Sequence, residues 1–211
     1  MSLFITFEGG EGCGKSVQAK ALAKRLSQLA IPVVLTREPG GTPFGNRIAG
    51  WLKWAEGTDI SPLTELMLFN ASRAQLVTQV IQPSLESGKV VICDRYADST
   101  TAYQSYGRGL DLEMVTTTNN AAAQGVKPDL TVLLDISAEE GLARKRTKRR
   151  DRFEQEKLAF HRKVRKGYLE MAAAEPERWL VVDAGQSKAK ISEIIWQKVS
   201  QLLSERGLKR G

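Results

Sequence analysis

The chain has 211 residues, 42% of them hydrophobic, and a formal net charge of +7 at pH 7. This length allows one large domain with a buried core, and no run approaches the ~18 apolar residues of a membrane span. The two cysteines, Cys13 and Cys93, are too few for a disulfide scaffold and lack metal-ligand spacing. The first residues run directly into a glycine-rich segment, so we expect no signal peptide, no membrane partner and a cytoplasmic location.

The first predicted element is a short buried strand, LFITF, which leads into the stretch FEGGEGCGKS. This stretch contains the pattern G-x-x-x-x-G-K-[ST] as Gly9, Gly14, Lys15 and Ser16, and a segment with helical spacing of apolar residues follows it. Strand, glycine loop and helix form the context of a phosphate-binding loop, in which backbone N–H groups hold phosphate. Lys15 is expected to reach the β and γ phosphates, and the Ser16 hydroxyl to bind Mg²⁺. The alternative is a glycine-rich turn with a chance lysine.

Strands and helices alternate along the rest of the chain. Further strands are predicted at 33–36, 89–93, 129–136 and 178–185, and further helices at 44–55, 61–86, about 111–125, from about 138, 153–175 and about 188–206. Within the long helix we expect the inward-facing residues to be Leu63, Leu66, Met67, Leu76, Val80 and Ile81. This alternation predicts an α/β fold with three layers, α/β/α, around a five-stranded parallel sheet.

Ligands of such sheets bind beyond the carboxyl ends of the strands. Residues with useful chemistry follow all five predicted strands: Glu8 to Ser16, Arg37 and Glu38, Asp94 and Arg95, Asp135, and Asp183 to Gln186. The sequence therefore predicts that these residues meet at one edge of the sheet.

The positive charge is concentrated in residues 144–152, RKRTKRRDR, which hold seven Lys or Arg and one Asp. Outside this segment, basic and acidic residues nearly balance, whereas a nucleic-acid-binding protein more often shows a broad basic stripe. We therefore expect a short basic lid, about residues 144–156, that closes over a polyphosphate when both substrates bind. A solvated charged helix end is the alternative. Glu154 and Glu156 either act in the site or only balance the charge.

The motifs favour phosphoryl transfer to a phosphate over other uses of the loop. No Asn-Lys-x-Asp string for guanine is present, and VVICDRY offers one acid followed by arginine rather than an acidic pair. Asp94 could order Mg²⁺, and Arg95 could bind an anionic acceptor. A phosphate monoester needs no general base, because its second pKa of about 6 leaves it mostly a dianion. Arginines relieve the repulsion between two anions, so Arg37, Arg73 and Arg95 indicate a nucleoside monophosphate kinase.

The chain resembles the thymidylate kinases of bacteria, which transfer the γ-phosphate of ATP to dTMP, giving dTDP for dTTP synthesis. The resemblance spans nearly the whole chain and rests on ordered motifs: FEGGEGCGKS, TREPGGT, MLFNASRAQ, VVICDRYADSTTAYQSYGRG, KPDLTVLLDI, DRFEQEKLAFHRKV and VVDAGQ. It implies a single domain over residues 1–211, with ATP and Mg²⁺ as cofactors and dTMP as the acceptor. It also implies a homodimer, for which helix 61–86 is a plausible face, and no nucleic-acid partner.

The resemblance implies roles for individual residues. Those implied for ATP are Gly9, Gly10, Glu11, Gly12, Cys13, Gly14, Lys15, Ser16, Val17, Ala184 and Gln186. Those implied for dTMP are Glu11, Glu38, Phe69, Arg73, Arg95, Ser99, Thr100, Tyr103 and Gln104. Those implied for the metal are Ser16 and Asp94. Those implied for catalysis are Lys15, Arg95, Arg146, Arg149 and Arg152, because members with a residue such as Gly10 in the loop take the catalytic arginine from the lid.

Three of these roles concern the nucleoside. Phe69 would stack on thymine, Arg73 would donate to its O4, and Tyr103 would press on the deoxyribose where a 2′-hydroxyl needs room. From their patterns alone, Phe69 and Tyr103 could instead be core aromatics, and Arg73 could be a surface arginine.

One position departs from the family pattern. The family often carries an arginine, aimed at the acceptor phosphate, in the helix after REPGG, where this chain has Ala49. Arg47 is two residues earlier, and each residue turns a helix by about 100°, so Arg47 is not a firm substitute. Two other functions stay open: a kinase of a different nucleotide, and a nucleotide-switched protein that binds nucleic acid through the basic run.

Overall fold

A computed structural model describes residues 2–54, 59–145 and 151–207. Five parallel strands form one sheet in the order β2-β3-β1-β4-β5. The strands are β1 Leu3–Glu8, β2 Val33–Arg37, β3 Val90–Asp94, β4 Leu130–Asp135 and β5 Trp179–Asp183. The predicted five-stranded parallel sheet is therefore confirmed, and the first strand lies at its centre.

Helices cover both faces of the sheet, so the predicted three-layer α/β/α architecture is also confirmed. The helices are α1 Lys15–Gln28, α2 Pro43–Trp54, α3 Pro62–Leu76, α4 Gln82–Glu86, α5 Ala97–Thr100, α6 Leu112–Ala123, α7 Ala138–Arg144, α8 Leu158–Ala174 and α9 Lys188–Glu205. Two π-helical stretches, Val77–Ile81 and Thr101–Gly107, continue α3 and α5. No helix in the described part of the chain is long and apolar enough to cross a bilayer.

Successive side chains of β1 point to opposite faces of the sheet and therefore pack in two different layers. Leu3, Ile5 and Phe7 belong to the core under α1 and α9, because successive strand residues point to opposite faces. Phe4 packs edge-on against Tyr96 on the other face. Glu8, the last strand residue, shares that second face, and the strand thus delivers a buried carboxylate to the edge where the site forms.

Two expectations about helices are wrong in detail. Leu63 and Met67 are 45% and 49% exposed, although Leu66 and Leu76 are fully buried as expected. Leu63 and Met67 are four residues apart and share one helix face, and within the described chain no element covers it. The helix expected from residue 153 begins at Leu158, because the Asp151 carboxylate accepts from following backbone N–H groups and holds the chain in a turn.

Candidate active site

A cavity of about 390 Å³ lies beyond the carboxyl ends of β1, β2 and β3. It brings together most of the residues that the sequence assigned to the two nucleotides. The predicted site residues that line it are Glu11, Gly12, Gly14, Lys15, Ser16, Val17, Glu38, Phe69, Asp94, Arg95, Ser99, Tyr103 and Gln104. Arg37, expected at the same edge, lines it as well.

The glycine loop wraps around the start of α1. Gly9, Gly12 and Gly14 have φ values of 136°, 68° and 96°, which residues with a Cβ rarely adopt. Lys15 is the first residue of α1, and its ammonium donates to the carbonyls of Gly9 (3.0 Å) and Gly10 (2.7 Å). The loop therefore has the backbone geometry and the helix N-terminus that phosphate binding requires.

Ser16 and Asp94 meet at the floor of the cavity. The Ser16 hydroxyl donates to the Asp94 carboxylate, so the start of α1 and the end of β3 present two oxygen ligands side by side. Hard oxygen donors of this kind suit Mg²⁺, which keeps only one or two protein ligands when phosphates supply others. Within the described residues, no cluster of three or more His, Cys, Asp or Glu could hold a metal by itself.

Arg95 is held firmly in the middle of the site. Its φ of 72° lies in the left-handed region. Its guanidinium donates to oxygen atoms of Gly9, Glu11, Ser99, Tyr103 and Tyr168, at 2.7–3.2 Å. The position of this cation is thus determined jointly by the loop, the segment after β3 and α8.

Glu11 joins the loop to the beginning of the basic run. Its carboxylate accepts from Arg95 (2.7 Å), the Tyr103 hydroxyl (2.8 Å) and the Lys145 ammonium (2.7 Å). Burial by itself would raise the pKa of Glu11, but Arg95, Lys15 and Lys145 hold that pKa well below its usual range. Glu11 is therefore ionised, and its carboxylate is the common acceptor of Arg95, Tyr103 and Lys145. Sequence reasoning did not single out Lys145, because its only signal was membership of the basic run.

Arg73 lies beneath the cavity wall rather than in the wall. Its side chain is fully buried, and it donates to both oxygens of Glu38, to Thr100 and to two asparagine side chains. Neither Arg73 nor Thr100 lines the cavity, so the expected contact of Arg73 with thymine stays a prediction. Phe69 does line the cavity, with its ring 5.7 Å from that of Phe153.

A second buried carboxylate, Glu8, supports the site from below. It accepts from the Tyr96 backbone N–H (2.7 Å) and from the hydroxyls of Ser99 (2.5 Å) and Tyr168 (3.0 Å). Burial, helped by repulsion from Asp98, raises the pKa of Glu8 to about 7. Sequence reasoning missed Tyr168, because an aromatic residue on a helix carries no signal of a contact with a strand 160 residues away.

Some of the predicted residues lie away from the cavity. Arg152 binds the Glu65 carboxylate and the Leu52 carbonyl, and Arg146 and Arg149 lie outside the described residues. Ala184 is buried, and its carbonyl accepts from Arg144 at 2.8 Å. The others that do not line the cavity are Gly9, Gly10, Cys13 and Gln186. Their roles stay predictions.

Glu154 and Glu156 form ion pairs inside the protein. Glu154 pairs with Lys145, and Glu156 pairs with Arg108. These contacts favour the interpretation that both glutamates balance positive charge around the basic run.

The chain matches the family model described as Thymidylate kinase over residues 7–195. It is 54% identical to a thymidylate kinase from Dehalococcoides mccartyi, over 96% of this chain and 98% of the relative. It is 48% identical to one from Trichlorobacter lovleyi, over 96% and 99% of the two chains. The crystal structure of thymidylate kinase from Ehrlichia chaffeensis is similar with a TM-score of 0.75 and 33% identity, covering 95% of this chain and 98% of that one.

Proposed function

The chain belongs to the thymidylate kinase family, and we propose that the cavity beyond β1, β2 and β3 is the site of its reaction. The chain is an ATP-dependent nucleoside monophosphate kinase that transfers the γ-phosphoryl group of ATP to dTMP, giving dTDP and ADP for dTTP synthesis. One observation supports this location above all. The phosphate loop and Arg95 face the same cavity and are joined through Glu11.

The loop is the proposed donor side. Its backbone N–H groups and the N-terminus of α1 would hold the ATP phosphates, and Lys15 would exchange the carbonyls of Gly9 and Gly10 for phosphate oxygens. Gly12, Cys13 and Val17 would complete the loop, and adenine would pass beside Ala184 and Gln186.

Ser16 and Asp94 fit Mg²⁺, because their oxygens already meet at the cavity floor. When bound, this ion would neutralise charge on the phosphates and reduce the repulsion between donor and acceptor.

The acceptor side lies against α3 and the π-helical stretch Thr101–Gly107. Phe69 would stack on thymine, and Tyr103 would lie against the deoxyribose. The other proposed dTMP residues are Glu11, Glu38, Arg73, Arg95, Ser99, Thr100 and Gln104. The Glu38–Arg73 pair keeps the wall beneath the base rigid, because both side chains are buried and bonded to each other. The acceptor is already mostly a dianion, so positioning and charge neutralisation carry the reaction without a general base.

The basic run is the proposed lid of a single domain that spans residues 1–211. Lys145 already ties its start to Glu11, which supports the idea that the lid closes onto the phosphates. Arg146 or Arg149 would then stabilise the charge of the transferring group. The described basic residues Arg144, Lys145 and Arg152 all bind protein acceptors, which favours this role over nucleic-acid binding. The cytoplasmic location is part of the proposal, and the use of ATP and dTMP as substrates supports it.

A coupled ADP-release assay tests the proposed function. With ATP and Mg²⁺, the protein should turn over dTMP faster than dUMP, dCMP, dGMP or dAMP at equal concentrations. Faster turnover of another monophosphate would reassign the acceptor, and absence of ADP release with all five would overturn the proposal.

A further inference from the structure

Lys53 lies in the last turn of α2, and its side chain lines the cavity. The sequence did not predict this cation as part of the site. Its half-buried side chain lines the cavity together with Arg37 and Arg95. Within residues 2–54, 59–145 and 151–207, its ammonium forms no ion pair or hydrogen bond. A cation that is partly removed from water without a hydrogen-bonded acceptor is unfavourable, so its presence needs a reason.

Among the other cations that line the cavity, Lys15, Lys145 and Arg95 are bound to protein atoms, whereas the exposed Arg37, like Lys53, forms no side-chain ion pair or hydrogen bond within the described residues. Lys15 donates to loop carbonyls, Lys145 pairs with Glu11 and Glu154, and the guanidinium of Arg95 is surrounded by acceptors. Lys53 differs from all three. Burial lowers the pKa of Lys53, attraction from Asp151 and Glu11 opposes this shift, and repulsion from Arg95 and Arg37 acts in the same direction as burial. Lys53, Arg37 and Arg95 therefore bring three positive charges to one cavity, and among the described residues no carboxylate is hydrogen-bonded to the Lys53 ammonium.

The helix geometry explains why this position is suited to the acceptor. Ala49 and Lys53 are four residues apart and lie on the same face of α2. Arg47 is exposed and does not line the cavity, so it does not supply the charge that Ala49 lacks. Helix α2 packs against α3, which carries Phe69. The glycine loop, which carries Lys15, lines a different part of the cavity. Lys53 thus lies on the acceptor side.

We propose that the Lys53 ammonium binds the phosphate of the acceptor nucleoside monophosphate, as a further substrate-binding residue of the site. The inference rests on the proposed function. A phosphate monoester brings about two negative charges and three acceptor oxygens, which would relieve the repulsion among Lys53, Arg37 and Arg95. Lys53 binds the phosphate in the ground state and takes no proton from it.

The test compares Lys53→Met with Arg47→Met, which removes a cation from the exposed side of the same helix. Lys53→Met should raise the KM for dTMP about tenfold or more, the scale of one lost charge-assisted hydrogen bond, with the KM for ATP within about twofold. Arg47→Met should leave both values near those of the parent. In calorimetry, Lys53→Met should weaken dTMP binding but not thymidine binding, since thymidine has no phosphate.

Two further variants guard against a folding artefact. Lys53→Arg keeps the charge and should retain most of the affinity for dTMP. Ala49→Arg in the Lys53→Met protein places a cation one helical turn earlier and should restore part of the affinity for dTMP. An unchanged KM for dTMP in folded Lys53→Met, or equal loss of thymidine binding, would overturn the inference. Absence of dTMP turnover by the parent would instead overturn the proposed function.

Discussion

At the scale of single residues, Lys15 is the side chain on which the proposed binding of ATP should depend most. Lys15→Ala should reduce phosphoryl transfer to near the limit of detection, because the loop loses the only positive side chain that it contributes within the described residues. The fold should survive, since the ammonium binds only two carbonyls and a thiol of its own loop. Lys20→Ala, an exposed substitution on the same helix, is the matched control. Near-normal turnover in folded Lys15→Ala would disprove the assignment of the loop.

Glu8 makes stability depend on pH. Its pKa is raised from 4.5 to about 7 on folding, so the folded protein binds this proton more tightly than the unfolded chain does. The stabilisation is fully present below about pH 4.5 and is lost as the pH rises through about 7. The free energy of unfolding should therefore fall over this window by up to about 3 kcal/mol from this group.

Denaturant titrations of the parent and of Glu8→Gln, at intervals from pH 5 to pH 8, measure this contribution. Glu8→Gln should also change the absolute stability, because the amide must share the Tyr96, Ser99 and Tyr168 partners. The diagnostic quantity is the slope. Equal pH slopes for the two proteins would show that Glu8 does not titrate in this range.

At the scale of elements, the phosphate loop packs directly on α7 through two glycines. A Cβ at Gly141 would collide with the carbonyl oxygen of Glu11, and a Cβ at Gly12 would collide with the carbonyl oxygen of Gly141. This close approach fixes the loop relative to the helix that leads into the basic run.

Gly141→Ala should therefore displace the loop, lower stability by about 1–3 kcal/mol through overpacking and reduce kcat. Gly50→Ala is the matched control, because Gly50 lies inside α2 with no atom within 4 Å of the added Cβ. That change should stabilise the protein by about 0.4–1 kcal/mol. Thermal unfolding and steady-state kinetics of both variants measure the effects. Similar behaviour of the two would contradict the role of the glycine contact.

The basic run should contain the catalytic arginine. Arg152 is bound to Glu65 and to the Leu52 carbonyl, so we expect the largest loss in Arg146→Ala or Arg149→Ala rather than in Arg152→Ala. The kcat should fall around 10³-fold, the scale of arginine fingers, with a modest change in KM. Arg162→Ala, which removes an exposed partner of Glu139, is the control. If all three substitutions leave kcat within a few-fold of the parent, the run is not catalytic.

At the scale of the whole molecule, the exposed side of α2 and α3 is the expected dimer surface. Trp51, Leu63 and Met67 are 59%, 45% and 49% exposed, and exposed apolar side chains that form a patch mark association surfaces. Light scattering should give about twice the chain mass of 23.3 kDa for the parent. Met67→Asp should shift the protein toward the monomer, whereas Leu169→Asp on α8 should not. A monomeric parent protein would contradict this expectation.

By itself, the sequence determined the sheet, the alternation of helices, the glycine-loop motif and the class of reaction, while the resemblance to a family supplied dTMP as the acceptor. These depend on local signals, namely apolar periodicity and short motifs whose spacing the chemistry dictates. Strand ends are close together in any parallel sheet, so Ser16, Asp94 and Arg95 could be placed at one edge before their contacts were known.

Only the tertiary structure decided which charged side chains are bound inside the protein and which line the cavity. Arg73 and Arg95 have the same charge in the sequence, but one lies beneath the wall and the other in the cavity. Lys53 belongs to no sequence motif. It was recognised as a candidate site residue only because α2 places it in the same cavity lining as Arg37. Glu8 and Tyr168 meet across 160 residues. Such contacts depend on how layers pack, and the energy of a charge depends on its neighbours and its burial, neither of which is a property of the local sequence.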